Sequence, residues 1–159
     1  MKALKNRLLL LITLLALPFA GLAQTSGSKP VALIRELYKV HNKGYGPVFR
    51  GKTRRYLDKY FDKSLADLIW KNLTEGNPDE VGNLDFDVLY NAQDFQIKNF
   101  QVANPIGDNS KAEVMVSFIN FDRKENLKFL MRNTAAGWKI ENLIYTDGSD
   151  LIKILSAPH

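Results

Sequence analysis

The side chains best supplied for chemistry are oxygens, and they cluster. Between Asn83 and Phe95 the chain carries Asp85, Asp87, Asp94, Asn91, Gln93 and Tyr90, interleaved with Leu84, Phe86, Val88 and Leu89. Two carboxylates at one site can act as acid and base, as in glycoside hydrolysis, and Asp87 and Asp94 are the candidates. Acids in loops also accept backbone N–H bonds and hold turns, and this structural role is the favoured reading. In it Gln93 and Asp94 bond loop backbone while Phe86, Tyr90 and Phe95 pack on a sheet.

Other chemistries are poorly supplied. Asn83, Asp85, Asp87 and Asp94 fall at positions one, three, five and twelve of an EF-hand count, but Val88 stands where the tight turn needs glycine and the twelfth ligand is not glutamate. Transition metals need several His or Cys ligands; the chain has two histidines and no cysteine. His159 is terminal, and His41 falls at a helix end, where a positive charge suits the dipole. A catalytic Ser–His pair therefore has only His41 to draw on. Glycine-rich phosphate and dinucleotide motifs are absent. The reading is no catalytic residue, no metal and no cofactor.

The first 23 residues stand apart. Lys2, Lys5 and Arg7 precede the apolar run Leu8 to Leu17, then Pro18 and the small-residue stretch Gly21-Leu22-Ala23. This is the pattern of a secretory signal peptide, residues 1–23; its core falls short of the ~20 apolar residues of a membrane span. Gln24 stands where a lipidated cysteine would be. The chain carries 22 basic and 17 acidic residues, net +5, but three of the basic residues lie in the signal; removing it leaves 19 against 17, a net +2. The high pI is thus poor support for nucleic-acid binding. The expectation is a periplasmic or secreted single domain, residues 24–159, with no stable membrane anchor after cleavage. Lacking cysteine, it must be held by packing alone.

The positioning elements follow from periodicity. Ser28 and Pro30 suit a helix start, and Val31, Ile34, Tyr38 and His41 with Leu33, Leu37 and Val40 give a broad apolar face up to the stop at Gly44 to Pro47. Arg50 to Lys63 alternates basic and aromatic residues. An anion patch is possible there, but a short amphipathic helix with Tyr56, Leu57, Tyr60 and Phe61 inward is preferred, because Asp58 and Asp62 interrupt the basic run. Ser64 caps a third helix with Leu65, Leu68, Ile69 and Leu73 inward, stopped by Glu75 to Pro78.

From Phe95 the period becomes two. Phe95, Ile97 and Asn99 share one face; Ala112, Val114, Val116 and Phe118 another; then Leu127, Phe129 and Met131; then Trp138, Ile140, Asn142 and Ile144. Turns at Asn104 to Asn109, Asp122 to Lys124 and Ala135 to Gly137 make a meander of about four antiparallel strands. Ser149 caps a short last helix docked by Leu151, Ile152, Ile154 and Leu155. Helices first and an antiparallel sheet after make an α+β fold, and the expected arrangement is a curved sheet wrapped on the first long helix with a cone-shaped pocket between. That pocket would be lined by Tyr38, Asp87, Tyr90, Gln93, Asp94 and Trp138.

Leu84-Asp85-Phe86-Asp87 with Tyr90-Asn91-Ala92-Gln93-Asp94-Phe95 resembles the central motif of a family of small exported bacterial proteins, domain-of-unknown-function family 3828. Tyr56-Leu57, Gly137-Trp138-Lys139-Ile140 and Ser149 to Leu155 are similar too. The chain departs from its lipoprotein members by lacking the cysteine, and has Val88 where proline is expected. The resemblance implies a nuclear-transport-factor-2-like or cystatin-like fold and no established reaction. Three functions stay open: a non-enzymatic domain binding a small molecule or an envelope protein; a periplasmic inhibitor or immunity-type protein using the loop Asn104 to Ser110 or a strand edge; and a ketosteroid-isomerase-like enzyme with Asp94 as base and Tyr38 or Tyr90 as donor. The last requires a buried Asp94.

Overall fold

The computed structural model describes residues 28–42, 54–75 and 84–157. The expected signal peptide, the helix stop at Gly44 to Pro47, Arg50, Lys52, Asn83 and His159 lie outside them. Helix α1 (Ser28–Val40) buries Ile34, Leu37, Tyr38 and His41, the three- and four-residue spacing of one helix face. Ser28 is already helical rather than the cap. Pro30 sits in the first turn, where its missing N–H has no intrahelical partner to lose. The end of α1 widens into a π-helical turn at His41–Asn42.

Helix α2 (Arg54–Tyr60) buries Leu57 and Tyr60, with Phe61 buried just after it. Tyr56, expected inward, is exposed; it stands one 100° step off the stripe that Leu57, Tyr60 and Phe61 share. Among the described residues of the basic run, Arg54, Lys59 and Lys63 are ion-paired. Arg54 pairs with Asp58 at 2.7 Å and Asp67 at 2.5 Å, Lys63 with Asp67 at 2.7 Å, and Lys59 with Glu36 at 2.5 Å. Helix α3 (Lys63–Thr74) is capped by Asp62, whose Oδ1 accepts the Leu65 N–H at 2.9 Å, not by Ser64. It buries Leu65, Ala66 and Ile69, and Leu73, past the last buried residue, is exposed.

Five antiparallel strands follow rather than four: β1 (Ile97–Val102), β2 (Ile106–Gly107), β3 (Lys111–Asn120), β4 (Arg123–Thr134) and β5 (Gly137–Ile144). The order is β1-β3-β4-β5, with β2 pairing beside β1 on β3. Inside the expected turn Asn104 to Asn109, Ile106 and Gly107 pair with Glu113 and Ala112. β3 and β4 stay in register over their whole length, Asn120 opposite Arg123. The turn is therefore Phe121-Asp122, and Arg123 and Lys124 already belong to β4.

Two bulges change which residues face the core. Between Lys98 and Gln101 β1 has one residue more than β3, and Asn99 there has φ 54°, a conformation asparagine tolerates. Phe100 thereby reaches Tyr38 and Phe118, with ring centroids 4.7 and 6.4 Å apart, while Asn99 does not take the expected core position. On β5 Glu141 is extra: Met131 pairs with Ile140 but Leu130 with Asn142. Trp138 and Ile140 are buried before it, Leu143 and Tyr145 after it, in place of the expected Asn142 and Ile144.

All helices lie on one face of the sheet. The core joins Ile34, Leu37, Leu57, Leu65 and Ile69 to Val114, Val116, Phe118, Leu127, Phe129, Ile140 and Leu143. Burying each such side chain is worth roughly 1.5–3 kcal/mol, which a chain without disulfides depends on. The β5 edge is covered: Phe61 bridges Ile140, the Asp62 N–H donates to the Ile140 carbonyl at 2.9 Å, and the Lys139 ammonium donates to the carbonyls of Asp58 and Lys59 at 2.6 and 2.8 Å, closing the α2 C-terminus. Helix α4 (Leu151–Leu155) is capped by Asp150, whose Oδ1 accepts the Lys153 N–H at 2.9 Å, rather than by Ser149.

Candidate functional site

The loop between α3 and β1 is built around one carboxylate. The Asp87 N–H donates to the Ala92 carbonyl at 2.8 Å and the Tyr90 N–H to the Asp87 carbonyl at 3.2 Å, closing a turn over Val88 and Leu89. Asp87 Oδ1 accepts the N–H groups of Leu89 at 2.9 Å and Tyr90 at 3.3 Å, the way aspartate holds turns. Asn91, with φ 52°, turns the chain back. Asp87 Oδ2 lies 2.6 Å from His41 Nε2, and both side chains are buried. The helical spacing that buries Ile34, Leu37 and Tyr38 also aims His41 at this loop.

Three tyrosines complete the attachment. The Tyr38 hydroxyl donates to the Leu89 carbonyl at 2.7 Å, the Tyr145 hydroxyl to the Val88 carbonyl at 3.3 Å, and the Tyr90 hydroxyl to Asn42 Oδ1 at 2.5 Å. Burial pushes the Tyr38 phenol well above its ordinary value, and the neighbouring Tyr90 and Asp87 push the same way. Burial likewise raises Tyr145 and Tyr90, the Asn42 bond opposing it in Tyr90. These phenols therefore stay protonated and act as donors, with their protons already committed to protein oxygens.

The six expected pocket residues separate into three places. Tyr38, Asp87 and Tyr90 come together in this buried network. Gln93 and Asp94 are exposed and line an open cleft of about 730 Å³ with Ala92 and the hairpin residues Asn120, Phe121, Asp122 and Arg123. Gln93 Nε2 reaches Asp85 Oδ2 at 3.4 Å. Trp138 is elsewhere. It pairs with Asn133, whose N–H donates to the Ser110 carbonyl before the start of β3, whereas Asn120 ends β3. The ten residues of β3 span roughly 30 Å at 3.3–3.4 Å each. No protein-family model, curated protein or solved structure matches this chain.

Two buried polar residues at the cleft escaped sequence reasoning. Asn120 accepts the Gln96 N–H at 2.9 Å and donates to the Asp94 carbonyl at 3.3 Å, fixing the cleft wall to the end of β3. Glu125, 1% exposed, pairs with Arg123 at 2.5 Å and accepts from the Thr146 hydroxyl at 2.8 Å. Arg123 also donates to the Asn91 carbonyl at 3.4 Å. The even positions of β3 and the odd positions of β4 were legible as an inward face, but not that polar residues would occupy its end. Among the described residues, no group of three or more His, Asp or Glu is placed to hold a metal ion.

The arrangement thus has an internally bonded, buried network and, apart from it, an open cleft. The network's hydrogen-bond groups are already used by the protein. The cleft presents an amide, a carboxylate and the aromatic surface of Phe121 to whatever enters it.

Proposed function

We propose that this chain is an exported, non-enzymatic binding domain of the envelope, and that it binds at the cleft between Ala92–Asp94 and the β3–β4 hairpin. The observation that carries this is the division of polar groups. Tyr38, Asp87 and Tyr90 spend theirs on the loop and α1, whereas Gln93, whose amide makes only a long 3.4 Å contact to Asp85, and Asp94 are exposed and line the cleft. Recognition sites are concave and place a few polar groups among apolar ones, and Ala92 and Phe121 supply the apolar part. The signal-like leader and the resemblance to family 3828 support export, and the order of helices and antiparallel strands fits a nuclear-transport-factor-2-like or cystatin-like cone.

The isomerase-like reading asks for a buried Asp94 as base, and the exposure of Asp94 counts against it. The inhibitor or immunity-type reading has one observation in its favour. Ile106, on β2 in the expected loop Asn104 to Ser110, is 76% exposed, and exposed apolar surface marks contact sites. Native mass spectrometry of the protein purified from its own envelope tests the main proposal. A retained small molecule or protein, weakened about tenfold in Gln93→Ala or Asp94→Ala, about 1.4 kcal/mol, is expected. Retention at wild-type strength in both variants would refute the placement at the cleft.

A further inference from the structure

Phe121 is the first residue of the two-residue β3–β4 turn and has φ 52°. Asp122, the second, is not among the positive-φ residues. A turn with positive φ at its first central position alone calls for glycine there, and for a bulky side chain that conformation is an outlier. Burial does not account for it: the residue is 51% exposed and its ring has no aromatic contact among the described residues. Local strain at an exposed side chain directs attention to function. Phe95, the residue after the cleft-lining Asp94, is 46% exposed, with its ring centroid 4.5 Å from that of Tyr90.

The charge around this tip has a sign. Asp85, Asp94 and Asp122 carry carboxylates with no ion pair among the described residues, while Arg123, the one cation among the described residues that line the cleft, is held by Glu125. Lys98 and Lys124 flank Ile119 across the sheet, on the face opposite Phe118 and the helices. On the cleft side the hairpin is therefore an apolar knob in an acidic collar. Resting on the binding-domain reading, we propose that Phe121 is the anchor of a protein–protein contact, inserted into an apolar pocket of a partner whose rim is basic. Single buried aromatics carry much of the energy of such contacts, and opposite charge around them steers the encounter. The acidic collar disfavours the alternative of an anionic bilayer surface, which attracts basic segments.

A benzophenone photo-crosslinker placed at Ala92 of the full chain, which lines the cleft, irradiated in the intact envelope, tests this. The expected product is an adduct with one protein, mapped to a segment combining apolar residues with Lys or Arg. Phe121→Gly should reduce the adduct at least about 30-fold, the loss that defines a hot spot. Phe121→Leu should keep part of it, and Ile106→Ser should leave it unchanged. The circular-dichroism melting temperature of Phe121→Gly should stay within about 4 °C of wild type, because relief at positive φ offsets the lost partial packing. An adduct to lipid, an adduct to a second copy of this chain, an adduct indifferent to Phe121→Gly, or none at all would each overturn the proposal. A retained small molecule without a protein adduct overturns this inference alone; neither one overturns the binding-domain reading as well.

Discussion

Replacing Asp87 with alanine removes the acceptor of two backbone N–H groups, at 2.9 and 3.3 Å, and the partner of His41 at 2.6 Å. Each buried donor left without an acceptor costs about 1–3 kcal/mol, and the His41 imidazole left without its carboxylate partner costs about as much again. The contributions overlap, because water and the turn itself relax, so the expected loss is about 4 kcal/mol. That is a large part of the ~5–15 kcal/mol available to a domain. In urea, with a slope near 2 kcal/mol/M, the midpoint should fall by about 2 M. Asp87→Asn keeps an acceptor for the Leu89 N–H and should lose about 1–2 kcal/mol. A double-mutant cycle with His41→Ala should show coupling of about 2 kcal/mol. A loss below about 1 kcal/mol for Asp87→Ala, or strict additivity with His41→Ala, would refute the view that Asp87 holds the loop to α1.

Three further outcomes are expected. Tyr38→Phe removes the bond to the Leu89 carbonyl and should cost about 1–2 kcal/mol in the same urea assay, with the fold retained. The Ser110 hydroxyl, then the N–H groups of Lys111 and Ser110, hold the Asp108 carboxyl down to about 2. Its folded value lies below the ordinary 3.8, so the order it gives the β2–β3 turn is complete above that pH and is lost as the pH falls through about 2; a carboxyl NMR titration should show this, and Ser110→Ala should move the midpoint up. Asn99→Val places a β-branched residue at φ 54° and should cost about 1–2 kcal/mol by thermal unfolding, while Asn99→Gly should be nearly neutral.

Much of the fold was legible because its long elements are regular. The stripe Ile34, Leu37, Tyr38, His41 announced α1, and the alternation from Ala112 to Phe118 announced β3. The misreadings sit where one residue breaks a period. Neither bulge has a period of its own, and the extra Glu141 reversed the assignment of Asn142 to Tyr145. β2 is two residues long, too short to alternate. Ser and Asp cap helices about equally well, so the sequences Asp62-Lys63-Ser64 and Ser149-Asp150 left a choice that packing decided. At the site, the acids of the loop were visible, but not which carboxylate turns inward. That depended on His41, 46 residues away, and on the helical phase that brings it to Asp87. Nothing in the composition of Asn120-Phe121-Asp122-Arg123 signals a phenylalanine in a glycine position, because register alone places the turn there.

The bulge at Asn99 has a bearing on how the protein behaves in a crowd of its own copies. With β5 shielded by Phe61, β1, with the two-residue β2 beside it, is the sheet edge left unpaired among the described residues. Its ladder with β3 is interrupted after Lys98 and resumes at Gln101, so an incoming strand meets no straight row of N–H and C=O groups longer than two residues on either side. A charged lysine stands at the break. Bulges and lysines on edge strands are recognised guards against edge-to-edge growth. The residue that carries Phe100 to Tyr38 therefore also keeps the open edge from serving as a template for fibrils.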